Sequence, residues 1–154
     1  LDADALTVFE NNPEELFIDC YPHTILTPHE GEFKKIFGKE IDEINDRVLK
    51  TKEASIKSNT TVVLKGANTI IASPSGDVVI NKSAATYLAT AGSGDVLAGI
   101  ITSLVGKNKM NAFDAACAGV WLHSEIGTIL GAGMIAEDII DLIPVTVKKL
   151  LKMH

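Results

Sequence analysis

Thr60-Thr61-Val62-Val63-Leu64-Lys65 is the stretch that decides the fold. A short β-branched and apolar run without polar alternation is the pattern of a strand buried on both faces, and such strands belong to sheets covered by helices on each side. Beyond Gly66, the runs Thr69-Ile70-Ile71-Ala72 and Val78-Val79-Ile80 flank Pro74-Ser75-Gly76-Asp77, a hairpin signal. Before it, residues 42–58 read as an amphipathic helix with Ile44, Val48, Leu49 and Ile56 near one face. Further upstream, Thr24-Ile25-Leu26 looks like the end of a short buried strand, and Thr27-Pro28-His29-Glu30 like a helix start. Thr27 is the expected cap there, Pro28 suits the first helical position and Glu30 completes a capping box. Phe33, Ile36 and Phe37 give that helix an apolar side, and Gly38 is placed to end it.

Downstream, residues 81–91 are small and polar without a clear period. Helical patterns then cover about 94–105, about 112–130 after Asn111, and a last segment beyond Pro144. The sheet is therefore expected to be complete by about residue 90, in an α/β fold.

The chain has 154 residues, 46% of them hydrophobic and 22% charged, with 14 Lys and Arg against 20 Asp and Glu. That length suits one domain able to bury roughly 70% of its unfolded surface. The net charge of −6, with no basic stretch, offers no footprint for a nucleic-acid backbone. No apolar run reaches the roughly 18–20 residues needed to span a bilayer, and no signal-peptide pattern opens the chain, so no membrane partner is expected. The two cysteines, Cys20 and Cys117, have no metal-ligand spacing and form no disulfide framework, which suits a reducing cytoplasm. The chain starts without Met in Leu1-Asp2-Ala3-Asp4-Ala5-Leu6, as if a structural element were already under way.

Chemistry concentrates in Thr90-Ala91-Gly92-Ser93-Gly94-Asp95-Val96-Leu97-Ala98-Gly99. Two glycines one residue apart lead straight into an apolar helix, whose first N–H groups have no internal partner and, with the helix dipole, suit a phosphate. Asp95 there can take a proton from a substrate hydroxyl while the amides hold a phosphoryl group. The alternative is a plain helix entry with Asp95 compensating the dipole. A Walker A loop and a Gly-x-Gly-x-x-Gly fingerprint are both excluded by spacing, since the glycine after Gly94 is Gly99.

Two companions sit at strand ends, where ligands of open α/β sheets bind. Lys65-Gly66-Ala67-Asn68-Thr69 follows the central strand, and His29 and Glu32 open the helix after Thr24–Leu26. Each has a bland reading, a solvated lysine in a polar turn and a capped helix with exposed first-turn residues. Together, the three loops would converge on one edge of the sheet.

These segments, in this order, resemble the C-terminal half of the ADP/ATP-dependent NAD(P)H-hydrate dehydratases, members of the ribokinase-like superfamily. Gly-x-Gly-Asp alone indicates only the superfamily. Leu26-Thr27-Pro28-His29-Glu30-Gly31-Glu32-Phe33 with Leu64-Lys65-Gly66-Ala67-Asn68-Thr69 is more specific. The resemblance implies a ribokinase-like three-layer α/β fold with a mainly parallel central sheet, of which residues 1–154 are the C-terminal portion. It implies a repair enzyme in which ADP or ATP phosphorylates the C6 hydroxyl of the S epimer of NAD(P)H hydrate, and loss of phosphate restores NADH or NADPH.

By motif, Asp95 would be the base on the hydroxyl, and the amides of Gly92, Ser93 and Gly94 would hold the transferring phosphoryl group. Lys65, Gly66, Ala67, Asn68, Thr69 and Gly94 would hold the nucleotide, and His29 with Asp95 the hydrated cofactor. Glu32 falls where the superfamily organises Mg²⁺ and its waters, so indirect, water-mediated Mg²⁺ binding is expected of it. The partners implied are the hydrated cofactor, an adenine nucleotide, the N-terminal part of the same domain, absent from this chain, and a further copy in a homo-oligomer.

Asn81-Lys82-Ser83-Ala84-Ala85 departs from the family pattern of Asn-x-Thr/Ser-Gly and is left out of the site. His123 on its apolar helix reads as a packed or partly exposed histidine, and Cys20 and Cys117 as small buried hydrophobes. Ala136-Glu137-Asp138 reads as a helix start. Asp2 and Asp4 stay open between cleft lining and chain start. Two rivals remain: a ribokinase-like kinase of a vitamin-precursor alcohol, which would usually carry Asn in place of His29, and an inactive half-domain that binds nucleotide weakly.

Overall fold

The computed structural model describes residues 1–21, 23–38, 44–82 and 86–152. Among them a four-stranded sheet runs in the order β1 (Ile25–Leu26), β2 (Thr61–Leu64), β3 (Thr69–Ala72) and β4 (Val78–Asn81). β1 pairs parallel with β2, while β2–β3 and β3–β4 are antiparallel. The α/β class and the hairpin are as expected, and the last strand ends at Asn81. The sheet of this portion is mixed rather than mainly parallel, because the Pro74–Asp77 turn folds β4 directly back on β3.

Side-chain alternation along β2 divides the core in two. Val62 and Leu64 face Leu6, Leu16, Phe33, Ile36 and Ala54, which come from α1 (Asp4–Thr7), α2 (Pro13–Ile18), α3 (Glu30–Phe37) and α4 (Ile44–Ser58). Val63 points the other way and, with its register partner Ile71, meets Leu97, Ile101, Ala116 and Val120 of α5 (Ser93–Gly106) and α6 (Ala112–Leu130). Helix α7 (Ala136–Leu151) packs outside these, with Ile139 against Ile100, Leu122 and Ile126. Helices thus cover both faces of β2, as its sequence required.

Helix α4 presents the opposite face from the one expected. Leu49 and Ile56 are more than half exposed, and the buried residues are Thr51, Ala54, Ser55 and Ser58. The reason is close contact with the sheet. Small side chains let α4 approach β2 and β3, and their hydroxyls satisfy buried carbonyls. Ser55 Oγ donates to Thr60 O and lies 3.1 Å from Ala72 O, while Ser58 Oγ lies 2.7 Å from Thr60 Oγ1. The expected start of this helix at 42 lies outside the described residues.

Helix α3 also starts two residues later than expected. His29 is the cap, and its capping-box partner is Glu32 rather than Glu30. Sheet hydrogen bonding takes the preceding residues first. Pro28 O accepts from Lys65 N–H at 2.8 Å, and Thr27 Oγ1 donates to Leu1 O at 3.2 Å, so neither residue is free to open a helix. Gly38, at φ +67°, ends α3 in the left-handed conformation, as read.

The C-terminal helix does not wait for Pro144. It begins at Ala136, with Asp138 accepting from Ile135 N–H at 2.9 Å, and runs through the proline. Pro144 itself is exposed, whereas Ile139, Ile143, Thr146 and Val147 keep one helical face against α5 and α6 on both sides of it. That stripe outweighs the local cost of about 3 kcal/mol of a mid-helix proline.

Candidate functional site

The carboxyl ends of β1 and β2 and the amino end of α5 meet around a cavity of about 610 Å³. From the three loops singled out in the sequence, His29, Lys65, Gly66, Ala67, Thr69, Ser93 and Gly94 line it. Asn68, Gly92, Glu32 and Asp95 do not line it. The far wall is apolar, formed by Leu88, Leu97 and Val120.

His29 is fixed by its own capping box. Its Nδ1 accepts from Glu32 N–H at 3.2 Å, and its N–H donates to Glu32 Oε2 at 2.7 Å. Nε2 therefore carries the ring proton, and on this largely exposed ring it lies 3.5 Å from Glu32 Oε1. Glu32 is buried at 6% exposure, with its carboxylate between that cap and the ammonium of Lys65, 3.9 Å away. Lys65 Nζ pairs with Asp2 Oδ1 at 2.7 Å. The same nitrogen stands 3.4 Å from the point where a Cβ on Gly94 would lie, so the lysine rests directly on the glycine loop. Asp2 therefore belongs to the site's surroundings, whereas Asp4 is an exposed first-turn residue of α1.

Gly92 caps α5 at φ +82°, a conformation that only glycine adopts without strain. Val96 is the first residue whose N–H finds the i−4 carbonyl, Gly92 O at 3.1 Å. The amides of Gly94 and Asp95 precede it at the positive end of a 14-residue helix, an arrangement suited to an anion. Asp95 is exposed and lies in a separate groove of about 530 Å³ between α5 and α7, with Val96, Ile100, Ile140 and Ile143 among its lining residues. Lys65 and His29 thus line the cavity and the Asp95 carboxylate does not.

His123, by sequence a packed or partly exposed histidine, is buried, and it also lines the cavity, with Nε2 3.0 Å from Ser93 O. No sequence signal tied it to a loop 30 residues earlier. Burial holds its imidazole well down, at about 4, so it is neutral near pH 7. Cys20 is buried and Cys117 half-buried, both are free thiols, and burial pushes Cys117 up to about 11, which makes both inert packing residues. Residues 83–85, excluded from the site by sequence, lie outside the described residues.

Among the described residues no group of three or more His, Cys, Asp or Glu is arranged to hold a metal ion directly. Glu32, already engaged by the His29 amide and close to Lys65, fits a water-mediated role and not that of an inner ligand.

The family model described as NAD(P)H-hydrate dehydratase matches residues 1–144. The ADP-dependent (S)-NAD(P)H-hydrate dehydratase of Neisseria meningitidis is 39% identical over 148 residues, covering 90% of this chain and 49% of that protein. A crystal structure of the ADP/ATP-dependent NAD(P)H-hydrate dehydratase of Bacillus subtilis, co-crystallised with ATP/Mg²⁺ and soaked with CoA, superposes with a TM-score of 0.73 at 33% identity. It covers 81% of this chain and 48% of that one. A ribokinase-like superfamily protein of Enterococcus faecalis superposes with a TM-score of 0.78 at 25% identity, over 96% of this chain and 51% of that one. The chain spans about half the length of each of these relatives.

Proposed function

The chain belongs to the NAD(P)H-hydrate dehydratase family, and on that premise we propose that the protein carrying it repairs the S epimer of hydrated NADH or NADPH at the expense of ADP or ATP. The observation that carries this reading is the cavity that brings Lys65 and Thr69 together with Ser93 and Gly94 at the first turn of α5. A nucleotide in that cavity would meet the α5 amides beside Lys65, with Asp95 next to Gly94 in the chain.

In this reading Asp95 takes the proton of the C6 hydroxyl as its oxygen attacks the terminal phosphorus of the nucleotide, whose bond to the bridging oxygen breaks so that AMP leaves from ADP, or ADP from ATP. The Gly92–Ser93–Gly94 loop would hold the phosphoryl oxygens during transfer, chiefly through the amides of Gly94 and Asp95, because the Ser93 N–H donates to Thr90 O at 3.3 Å. The C6–O bond then breaks, phosphate leaves with the bonding pair, and loss of a proton from C5 restores the ring double bond. His29, whose largely exposed ring lines the cavity, would contact the hydrated cofactor. Lys65, Gly66, Ala67, Asn68 and Thr69 would hold the nucleotide, and Thr69 Oγ1, 3.1 Å from Gly66 O, closes that turn.

Mg²⁺ accompanying the nucleotide would neutralise phosphate charge, and Glu32 is the residue that would hold its waters. A soluble cytoplasmic setting agrees with the acidic composition, and no helix among the described residues is long and apolar enough to cross a membrane.

The domain unit follows the same reasoning. Leu1 N donates to Ile25 O at 2.7 Å, and Leu1 O accepts from Thr27 N–H at 3.1 Å, the bonding of a strand running parallel beside β1. We read the chain as the C-terminal part of one domain whose sheet extends past β1.

The test is direct: the intact protein, supplied with hydrated NADH, Mg²⁺ and ADP or ATP, should restore the near-ultraviolet absorbance of the reduced nicotinamide. An intact protein that binds nucleotide yet restores none would overturn the proposal.

A further inference from the structure

Gly119, His123 and Gly127 of α6 are spaced four apart and so share one face of the helix. A Cβ on Gly119 would stand 2.6 Å from Ile101 Cγ1, and one on Gly127 would stand 2.6 Å from Leu88 Cγ. The two glycines let α6 lie closer to α5 and to the turn at Thr86–Leu88 than any side chain would allow. His123, between them, thereby reaches the first turn of α5, where its Nε2 lies 3.0 Å from Ser93 O and 3.1 Å from Ser93 Oγ.

These distances fix who donates. A carbonyl oxygen can only accept, so Nε2 carries the ring proton and its N–H is shared between Ser93 O and Ser93 Oγ. Ser93 Oγ accepts in that bond, which leaves its own O–H to donate elsewhere. Ser93 and His123 are both buried, at 3% and 6% exposure, and both line the cavity. The ring is uncharged near neutral pH, so a single donor at Nε2 is its resting state.

We propose that His123 is a positioning residue for nucleotide binding: by holding Ser93 Oγ as an acceptor, it directs the Ser93 hydroxyl proton into the cavity toward a phosphate oxygen. The inference rests on reading Gly92–Gly94 as the phosphoryl cradle. A histidine that merely ties α6 to α5 would act on stability alone and would not distinguish a ligand with phosphates from one without.

The experiment is calorimetric titration of the intact protein with ADP and, separately, with adenosine. His123→Leu and Ser93→Ala should each weaken ADP by about tenfold, the size of one hydrogen bond to a charged group, and leave adenosine unchanged. Combining them should add no further loss, because one residue acts through the other. His123→Gln, whose amide nitrogen reaches the Nε2 position, should keep most of the ADP affinity. Losses that multiply in the double variant, or a His123→Leu loss equal for ADP and adenosine, would overturn the proposal. If His123→Leu does not fold, a folded His123→Gln that binds ADP as weakly as Ser93→Ala overturns it too. A wild-type protein that prefers ADP over adenosine but performs no dehydration would refute the function and leave this inference standing.

Discussion

The Lys65 ammonium is 2.7 Å from Asp2 Oδ1 across 63 residues of sequence, so the cation expected to meet a nucleotide is already held by a carboxylate at the chain's first turn. Glu32 adds a second carboxylate at 3.9 Å. Asp2 lies beside the glycine loop, and the pairing keeps a mostly buried ammonium compensated before any phosphate arrives. A bound phosphate then competes with Asp2 for the same donor. Lys65→Met is expected to weaken ADP binding about 10- to 100-fold, the value of a hydrogen bond between charged groups. Asp2→Asn should leave ADP affinity equal or a few-fold tighter while lowering the melting temperature. A large loss of affinity in Asp2→Asn would show that the carboxylate itself serves the ligand.

Asp95 is exposed and does not line the cavity, so its removal should spare nucleotide binding. Asp95→Asn keeps shape and the first-turn position while abolishing the base. Turnover in the absorbance-recovery assay should fall about 10²- to 10⁴-fold, the usual worth of general base catalysis, with ADP affinity by calorimetry within a factor of about two. Retention of most of the rate would remove Asp95 from proton abstraction.

His123 makes the acid side of the stability curve predictable. Burial holds its native pKa down at about 4, against 6.5 for the exposed ring. Between those pH values the unfolded chain binds a proton that the native protein refuses. Stability therefore falls as pH drops below 6.5, by at most about 1.4 kcal/mol per pH unit from this residue, and the effect ends near pH 4. Above pH 6.5 both states are neutral and the contribution is flat. Urea unfolding at pH 7 and pH 5 should show a larger loss for the wild type than for His123→Gln. Equal losses would mean that the ring is protonated in the native state.

What the sequence disclosed and what it concealed follow from range. The β2 run and the Pro74–Asp77 hairpin were legible because each is a local pattern of β-branched residues and turn chemistry. The buried face of α4 was not, because Thr51, Ser55 and Ser58 are polar by composition and become core only once acceptors are in place: Arg47 O and Ala54 O within the helix for Thr51 and Ser58, and Thr60 O and Ala72 O of the sheet for Ser55. The α3 cap was misplaced by two residues for the same reason: Thr27 and Pro28 look like a helix start until Leu1 and Lys65 claim them. The three loops of the cavity could be named from strand ends alone. Their cross-links, Asp2 to Lys65 and Ser93 to His123, join residues too far apart in sequence for any spacing rule.

Gly66 and Arg47 supply a last such link. The Arg47 guanidinium pairs with Glu30 at the start of α3, and its Nη2 lies 2.5 Å from where a Cβ on Gly66 would stand. Arg47 thus lies against the Lys65–Thr69 loop while tied to the His29 helix, and its guanidinium occupies the space that a side chain at position 66 would need. Its Nη2 is buried and has no hydrogen-bond partner among the described residues, so the group is held there by packing and by Glu30 rather than by full satisfaction. Gly66→Ala must displace either the loop or the tip of the arginine side chain, and because that tip is flexible and Gly66 is exposed the cost in stability is about 1 kcal/mol at most. That predicts a melting temperature lower by about 2–4 °C per kcal/mol lost for a chain of this size, together with weaker ADP binding. Adding Arg47→Ala to Gly66→Ala removes the clash and should recover ADP affinity toward that of Arg47→Ala alone. If the double variant instead binds ADP more weakly than Gly66→Ala, the loop depends on the guanidinium for more than the space it fills, and steric exclusion is not why position 66 is glycine.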